Sequence, residues 1–391
     1  MDITFTPEEE RFRERARAWL EQNAPTSEPP EHDLSTRRDF DLAWQRTLYD
    51  AGYAGISWPK EFGGRGASLM EQLIWYEEFA RSGAHDPSTL FVGLNHGGPT
   101  LIACGSDAQK AFHLPKILKG EVIWCQGFSE PGAGSDLASL RTRGEIDGDH
   151  LVVNGQKIWT SYAQFADYQE LLVRTDPQMS KHRGITWIIC DMKLPGITVR
   201  PIESIDGEYH NCEVFYDNVR IPLKNVVGQV NDGWRVALST LSFERGTAFM
   251  ELQLRVSEIL EHVIKLARST KGLDGKPVIE DGEVAGRLGR LRGEISALRA
   301  MTYMSASRGL RQDMPGPEGT YLALMLSDLR QAVTRCAMDI LGPLGLERPV
   351  KMDPDDWVHS YLRSYASTIG GGTSEIRRNI IAERVLGLPK S

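Results

Sequence analysis

The chain has 391 residues, 41% hydrophobic and 25% charged, with a formal net charge of −8. That length suggests two or three domains with ample material for a core, and the acidic balance argues against a general nucleic-acid binder, which needs Lys and Arg in excess to neutralise phosphates. The five cysteines, Cys104, Cys125, Cys190, Cys212 and Cys336, are scattered; they predict free thiols in a reducing compartment and give no soft-ligand spacing for a metal.

Three parts follow in chain order. The first, 1–120, reads as helical. Its N-terminus is highly charged and has no apolar stretch of a signal peptide. Thr6-Pro7-Glu8-Glu9 supplies a hydroxyl cap, a proline where no donor is needed and acids facing the helix dipole. Phe12, Ala16, Trp19 and Leu20 continue at helical spacing, and further periodic stretches lie near 40–51, 69–81 and 107–118. A Pro, Ser and Glu-rich loop is expected between about 24 and 35. The second part, 121–228, carries short apolar or alternating runs at 122–124, 151–153, 171–173, 185–190 and 214–216. Asp147-Gly148 and Asn154-Gly155 both suit two-residue hairpin turns, so an antiparallel sheet or barrel is expected, ended by Pro222 and Gly228. The third part, 229–391, is helical again. Val256, Ile259, Leu260, Val263, Ile264 and Ala267 share a face, and similar faces near 282–311 and 319–341 predict a bundle. The order is helices, sheet, helices, an α+β chain without the strand–helix alternation of a Rossmann or TIM fold. No run of about 18 apolar residues predicts a membrane span, and the cytoplasm is the expected location.

Four stretches can carry chemistry. Trp124 to Asp136 places Pro131, Gly132 and Gly134 in a tight loop after a strand, where free N–H groups with Ser129 and Ser135 hydroxyls suit a ring carbonyl or a phosphate; composition alone favours a glycine-rich hairpin without a ligand. Asn154 to Ser161 puts Trp159 beside two hydroxyls, just past the second expected hairpin turn, a setting for a planar ring or for an ordinary core tryptophan. Ile369 to Arg378 has three glycines ahead of Thr373, which can cap a helix running through Ile376 to Arg384; an interhelix turn is the plainer reading. Leu241 to Thr247 holds Glu244 and Arg245 on the first long C-terminal helix. An adjacent pair of this kind is usually a solvated surface, but Leu241, Phe243, Ala248 and Phe249 around it point to enclosure.

Together these stretches resemble the acyl-CoA dehydrogenase family. The likeness spans nearly the whole chain: Gly105-Ser-Asp-Ala-Gln-Lys, Leu114-Pro-Lys-Ile-Leu-Lys-Gly-Glu121, Ser129-Glu-Pro-Gly-Ala-Gly-Ser-Asp136, Asn154-Gly-Gln-Lys-Ile-Trp159 and Gly372-Thr-Ser-Glu-Ile-Arg-Arg-Asn-Ile-Ile-Ala-Glu-Arg384. The resemblance implies an N-terminal helical domain, a middle antiparallel β-domain and a C-terminal four-helix bundle enclosing FAD. It implies that Gln126, Phe128 and Ser129 line the isoalloxazine, that Gly134 and Ser135 lie beside flavin and thioester, and that Trp159 and Ser161 touch the flavin. It further implies that Arg268 reaches the FAD diphosphate of a neighbouring subunit, that Thr373 and Glu375 touch the cofactor, and that Arg245 lies near the CoA ester. Many members carry the catalytic glutamate two residues before the closing threonine, where this chain has Gly371; a smaller group carries it on the long helix just before the arginine, where this chain has Glu244. A second departure is Asp339 and Pro343, where relatives often have a glutamine and a glycine pair against the partner's FAD. The implied reaction is α,β-dehydrogenation of an acyl-CoA to the trans-2-enoyl-CoA, with electrons passing to electron-transfer flavoprotein and a homo- or heterotetrameric assembly. The rival expectations are a non-catalytic subunit of a mixed tetramer, a flavin monooxygenase on the same fold, and a scaffold without cofactor.

Overall fold

A computed structural model describes residues 5–26, 34–244, 248–309, 318–346 and 356–389. In chain order the helices α1 (Pro7–Asn23), α2 (Leu34–Asp50), α3 (Leu69–Arg81), α4 (Gly98–Cys104) and α5 (Asp107–Leu118) precede the strands. Strands β1 (Trp124–Gly127), β2 (Arg143–Asp147), β3 (His150–Ser161), β4 (Tyr168–Arg174), β5 (Ile185–Asp191), β6 (Ile197–Ile202) and β7 (Asn211–Pro222) follow. Helices α6 (Gly233–Glu244), α7 (Ala248–Ser269), α8 (Gly282–Gly309), α9 (Glu318–Leu341), α10 (Trp357–Ser364) and α11 (Ser374–Ile380) complete the chain. A single π-helical turn, Gly93–Gly97, leads into α4.

The helix starts obey local chemistry. The Thr6 hydroxyl accepts from Glu9 N–H at 3.2 Å while Glu9 Oε2 accepts from Thr6 N–H at 2.7 Å, and Ser106 with Gln109 repeats this reciprocal box at α5.

The chain forms two compact units: Asn23–Ser68 with Ala84–Glu244, and Met1–Gln22 with Leu69–Gly83 and Arg245–Ser391. In the first, seven strands form a curled sheet in the order β1-β4-β2-β3-β7-β6, with β5 on β4. Gly148, at a φ of 61°, turns the β2–β3 hairpin as expected, with Asp147 opposite His150. Two expectations change. Asn154-Gly155 is no turn: it lies within β3, where the register with β7 slips between Val153 and Gly155. A glycine after a polar residue serves a bulge as well as a hairpin. The sheet is also not wholly antiparallel, because β1 runs parallel to β4. The intervening chain contains the whole β2–β3 hairpin, long enough for the crossover that parallel pairing needs. Leu151, Val153, Leu171, Val173, Val214 and Tyr216 fill the core beneath the sheet. Helix α6 packs on β5, on α4 and on the π-helical turn, and the buried hydroxyls of Thr100 and Thr240 meet at 2.8 Å.

In the second unit α7, α8 and α9 pack pairwise, α10 lies on α9 and α3 lies on α7. Val256, Leu260 and Val263 of α7 face Leu291, Ile295 and Leu298 of α8 and Leu326, Leu329 and Val333 of α9 in one core, the i, i+3/i+4 stripe of a bundle. Glu77 on α3 is buried among cations: it accepts from Arg13 at 2.8 Å and Arg299 at 2.7 Å, and from the Tyr303 hydroxyl. No described helix is long and apolar enough to cross a membrane.

Candidate active site

The first two flagged stretches meet in the sheet unit. After β1 the chain turns back on itself at Glu130–Ala133, whose backbone groups exchange two 3.0 Å hydrogen bonds across Pro131-Gly132. Ser129 O accepts from Ile158 N–H at 3.0 Å, which joins this tip to β3. The deeper fastening is ionic. Lys157 is fully buried; its ammonium donates to Glu130 Oε1 at 2.9 Å and Phe128 O at 3.0 Å. The Glu130 carboxylate also accepts from the N–H groups of Arg141 at 2.7 Å and Thr142 at 2.8 Å. Burial pulls the Lys157 ammonium down to about 8, and Glu130 only partly restores it. Burial pushes the Glu130 carboxyl up, but Lys157 and the N–H donors outweigh it and leave it below its ordinary value. Lys157 and Glu130 stood in the flagged stretches without a role, since pattern shows no contact across 27 residues.

Trp159 is no core residue. Lys157 is buried, so strict alternation would turn Trp159 inward with it. The register with β7 slips again between Lys157 and Thr160, and Thr160 takes the inward place. Trp159 is left 59% exposed in the left-handed region at a φ of 60°, a conformation costing about 1–2 kcal/mol for a non-glycine residue. Tyr162, at 55°, is a second such residue; its N–H donates to His210 O at 2.8 Å and its hydroxyl bonds Ser88 at 2.9 Å. Ser161 Oγ donates to Asn211 Oδ1 at 3.3 Å.

Of the other expected residues in this unit, Phe128 is buried, Ser129 and Gln126 are half-buried, and Gly134 and Ser135 are exposed. A Cβ built at Gly132 or Gly134 would meet nothing within 4 Å. A cavity of about 360 Å³ opens beside the tip, lined by Pro131, Gly132, Ser139, Arg141 and Gln156 among others. An exposed indole face, an open glycine tip and free hydroxyls suit a planar ring that carries phosphates.

The helical unit holds Arg268, Thr373 and Glu375. Arg268 is exposed in the last turn of α7. Thr373 caps α11 by accepting from Ile376 N–H at 3.3 Å, and Glu375 is exposed in that helix's first turn. Gly371 and Gly372 have φ values of 64° and 102°, so two of the three glycines answer a backbone demand. Arg377, which the motif reading passed over, is buried and holds this turn to α9, donating to Ser327 Oγ at 2.7 Å and Gly370 O at 3.0 Å. Asp339 is ion-paired to Arg287. The backbone of α6 is described to Glu244, but the side chains of Phe243, Glu244, Ala248 and Phe249, and the whole of Arg245, lie outside the described residues. Among the described residues no group of three or more His, Cys, Asp or Glu is placed to hold a metal.

The chain thus runs in the order of helical, β and helical segments, with a glycine tip and an exposed tryptophan on the sheet. Three family models match in sequence: the acyl-CoA dehydrogenase N-terminal domain over residues 6–121, its middle domain over 125–219 and its C-terminal domain over 231–386. The chain is 39% identical to acyl-CoA dehydrogenase IpdE1 of Mycobacterium tuberculosis, covering 97% of this chain and 98% of that one. It is 34% identical to acyl-CoA dehydrogenase FadE26 of the same organism over the full length of both. A chain of the ChsE4-ChsE5 complex from Mycobacterium tuberculosis superposes with a TM-score of 0.85 at 34% identity, covering all of both chains. A chain of the Tcur3481-Tcur3483 steroid ACAD superposes at 0.84 with 31% identity, again over all of both. The chain belongs to the acyl-CoA dehydrogenase family.

Proposed function

We propose that the protein catalyses FAD-dependent α,β-dehydrogenation of an acyl-CoA thioester to the trans-2-enoyl-CoA, with Glu244 as the base that removes the α-proton. The observation that carries the cofactor is the outward, left-handed Trp159 on the strand to which the open glycine tip is fastened. FAD, when bound, supplies the acceptor for the β-hydride. The chain's own residues bind and orient. Phe128, Ser129, Gln126, Trp159 and Ser161 would hold the ring system, with Gly134 and Ser135 beside flavin and thioester. Arg268 would reach the FAD diphosphate of a neighbouring subunit, Thr373 and Glu375 would touch a cofactor near the last helix, and Arg245 would lie near the CoA ester. Glu244 stands one helical turn beyond Thr240, which is fixed to Thr100.

The relatives named for steroid chemistry and for two-chain complexes support a steroid-derived acyl group and a tetramer with a second, different chain. Electron-transfer flavoprotein is the proposed acceptor. A non-catalytic role in such an assembly loses ground because Glu244 compensates for Gly371 in this chain. Glu244→Gln should retain FAD and lose nearly all turnover, read as bleaching of the bound flavin by CoA esters without oxygen. Normal bleaching by the variant would refute the assignment of the base, and a colourless wild-type protein would refute the cofactor.

A further inference from the structure

Behind Gln126 lies a polar cluster that the dehydrogenation scheme does not use. Gln126 of β1 stands in register with Glu170 of β4, and its Nε2 donates to Glu170 Oε1 at 2.8 Å. His96, carried by the π-helical turn, completes the cluster: its Nδ1 is 3.2 Å from Gln126 Nε2 and 3.3 Å from Glu170 Oε1. The Glu170 side chain is fully buried and that of His96 is 5% exposed, with its ring edge-on to Phe91 at 5.0 Å. A π-turn widens the helix by one residue and is often found where a side chain is aimed at a function.

The group of Gln126 that faces Glu170 Oε1 is the amide nitrogen, and the carbonyl oxygen faces away from the cluster. That oxygen accepts no hydrogen bond from any described residue, and Gln126 is only half-buried. An unanchored glutamine can rotate its amide to offer either a donor or an acceptor; this one is held in one sense.

We propose that Gln126 is an acceptor-only recognition residue for an N–H or O–H donor of the bound ligand, and that Glu170 and His96 are positioning residues that fix its amide. The inference rests on the reading that Gln126 lines the flavin site. One donor chemistry has two sources there: the ring N3–H, the single donor on the polar edge of an oxidised isoalloxazine, or a hydroxyl on the acyl group.

The test compares the wild-type protein with Gln126→Met, which removes the whole amide and leaves His96 and Glu170 in the chain, and with Glu170→Gln, which frees the amide to rotate. Folding is checked by far-ultraviolet circular dichroism. Apoprotein is titrated with FAD and with N3-methyl-FAD, and KM is measured for a hydroxylated acyl-CoA and its deoxy counterpart. If the flavin is the donor, wild type binds FAD about tenfold or more tighter than the methylated form, as expected for an acceptor left without a donor, and both variants lose that preference. If the acyl group is the donor, the preference appears instead in KM between the two esters and vanishes in both variants at unchanged FAD affinity. Wild type that discriminates neither pair, or Gln126→Met that keeps the discrimination, overturns the proposal, whether or not Glu170→Gln folds. Failure to bind FAD at all sinks the functional reading itself, a result distinct from bound flavin without discrimination.

Discussion

Replacing Lys157 by Met removes the charge that fastens the glycine tip to β3 and keeps most of the side-chain volume. Glu130 then retains its bonds from Arg141 and Thr142 N–H but stays buried without its hydrogen-bonded cation, and Phe128 O loses the Lys157 donor. Breaking a buried pair from one side costs about 3–5 kcal/mol. Part of that is recoverable, because the ammonium is itself held at a penalty: a fall from 10.5 to about 8 corresponds to roughly 3 kcal/mol of lost solvation net of its partner. The double variant Lys157→Met/Glu130→Gln removes the uncompensated charge and keeps an acceptor for one of the two N–H groups, so it should recover about 1–2 kcal/mol relative to the single variant. Urea denaturation followed by tryptophan fluorescence gives both differences, and amide exchange at Arg141, Thr142 and Ile158 locates the loss. The depressed pKa also fixes a sign. Between pH 8 and 10.5 the unfolded chain binds a proton at Lys157 that the folded chain does not, so this group's contribution to stability rises with pH across that window, and the Met variant lacks the rise. A single variant costing under about 1 kcal/mol, or a double variant no better than the single, would refute a coupled buried pair.

Gly155→Ala should cost roughly 1–3 kcal/mol in thermal or urea melts, since φ is 149° and the new Cβ would lie 2.7 Å from Thr142 Oγ1 and 2.8 Å from its Cα; a neutral change would mean that the bulge is plastic. His113, enclosed by Trp124 and Tyr168, is held down to about 4 by burial and then by Lys116. As pH falls from 6.5 to 4 the unfolded chain takes a proton there first, so stability drops by roughly 2–3 kcal/mol from this group; His113→Phe should flatten that part of the acid limb in a pH series of melts. Trp159→Gly should leave the apoprotein as stable or up to about 1–2 kcal/mol more so by releasing the left-handed strain, while weakening FAD retention on gel filtration; unchanged retention would remove Trp159 from the cofactor site.

The helices were legible because their causes are local. Thr6, Ser106 and Thr373 are hydroxyls placed three residues ahead of the N–H they cap, and the apolar stripe of α7 is visible at a glance. The sheet was legible in its runs and less so in its joints. Asn154-Gly155 carries a turn signal that a bulge also satisfies, and once β3 continues through it the phase of every later residue is open. That is why Trp159, assigned by the family likeness to a ligand and by pattern to a core, could not be placed by alternation: a second slip, three residues on, decides its direction. The parallel β1–β4 pairing, the Lys157–Glu130 pair, the His96–Gln126–Glu170 cluster and the grip of Arg377 on Ser327 of α9 all join residues distant in sequence. No window of neighbouring residues contains them.

These joints explain how the sheet side of the site can be both open and fixed. The tip at Gly132 to Ser135 has few neighbours, and Trp159 stands exposed in a conformation that costs energy. Neither would hold its position alone, because an open glycine loop has entropy to lose and a strained tryptophan has a lower-energy alternative. Each is tied from behind. Glu130 and Ser129 bind the tip to Lys157 and Ile158. Tyr162, three residues past Trp159, is pinned by His210 and Ser88. The two stretches are thus two halves of one fastening, with exposed atoms turned outward and buried atoms bonded to each other. A surface built this way can meet a planar cofactor without paying to order itself at the moment of binding, which is the physical content of preorganisation. The same logic extends to Gln126, whose amide nitrogen is occupied inside the protein so that its oxygen is not.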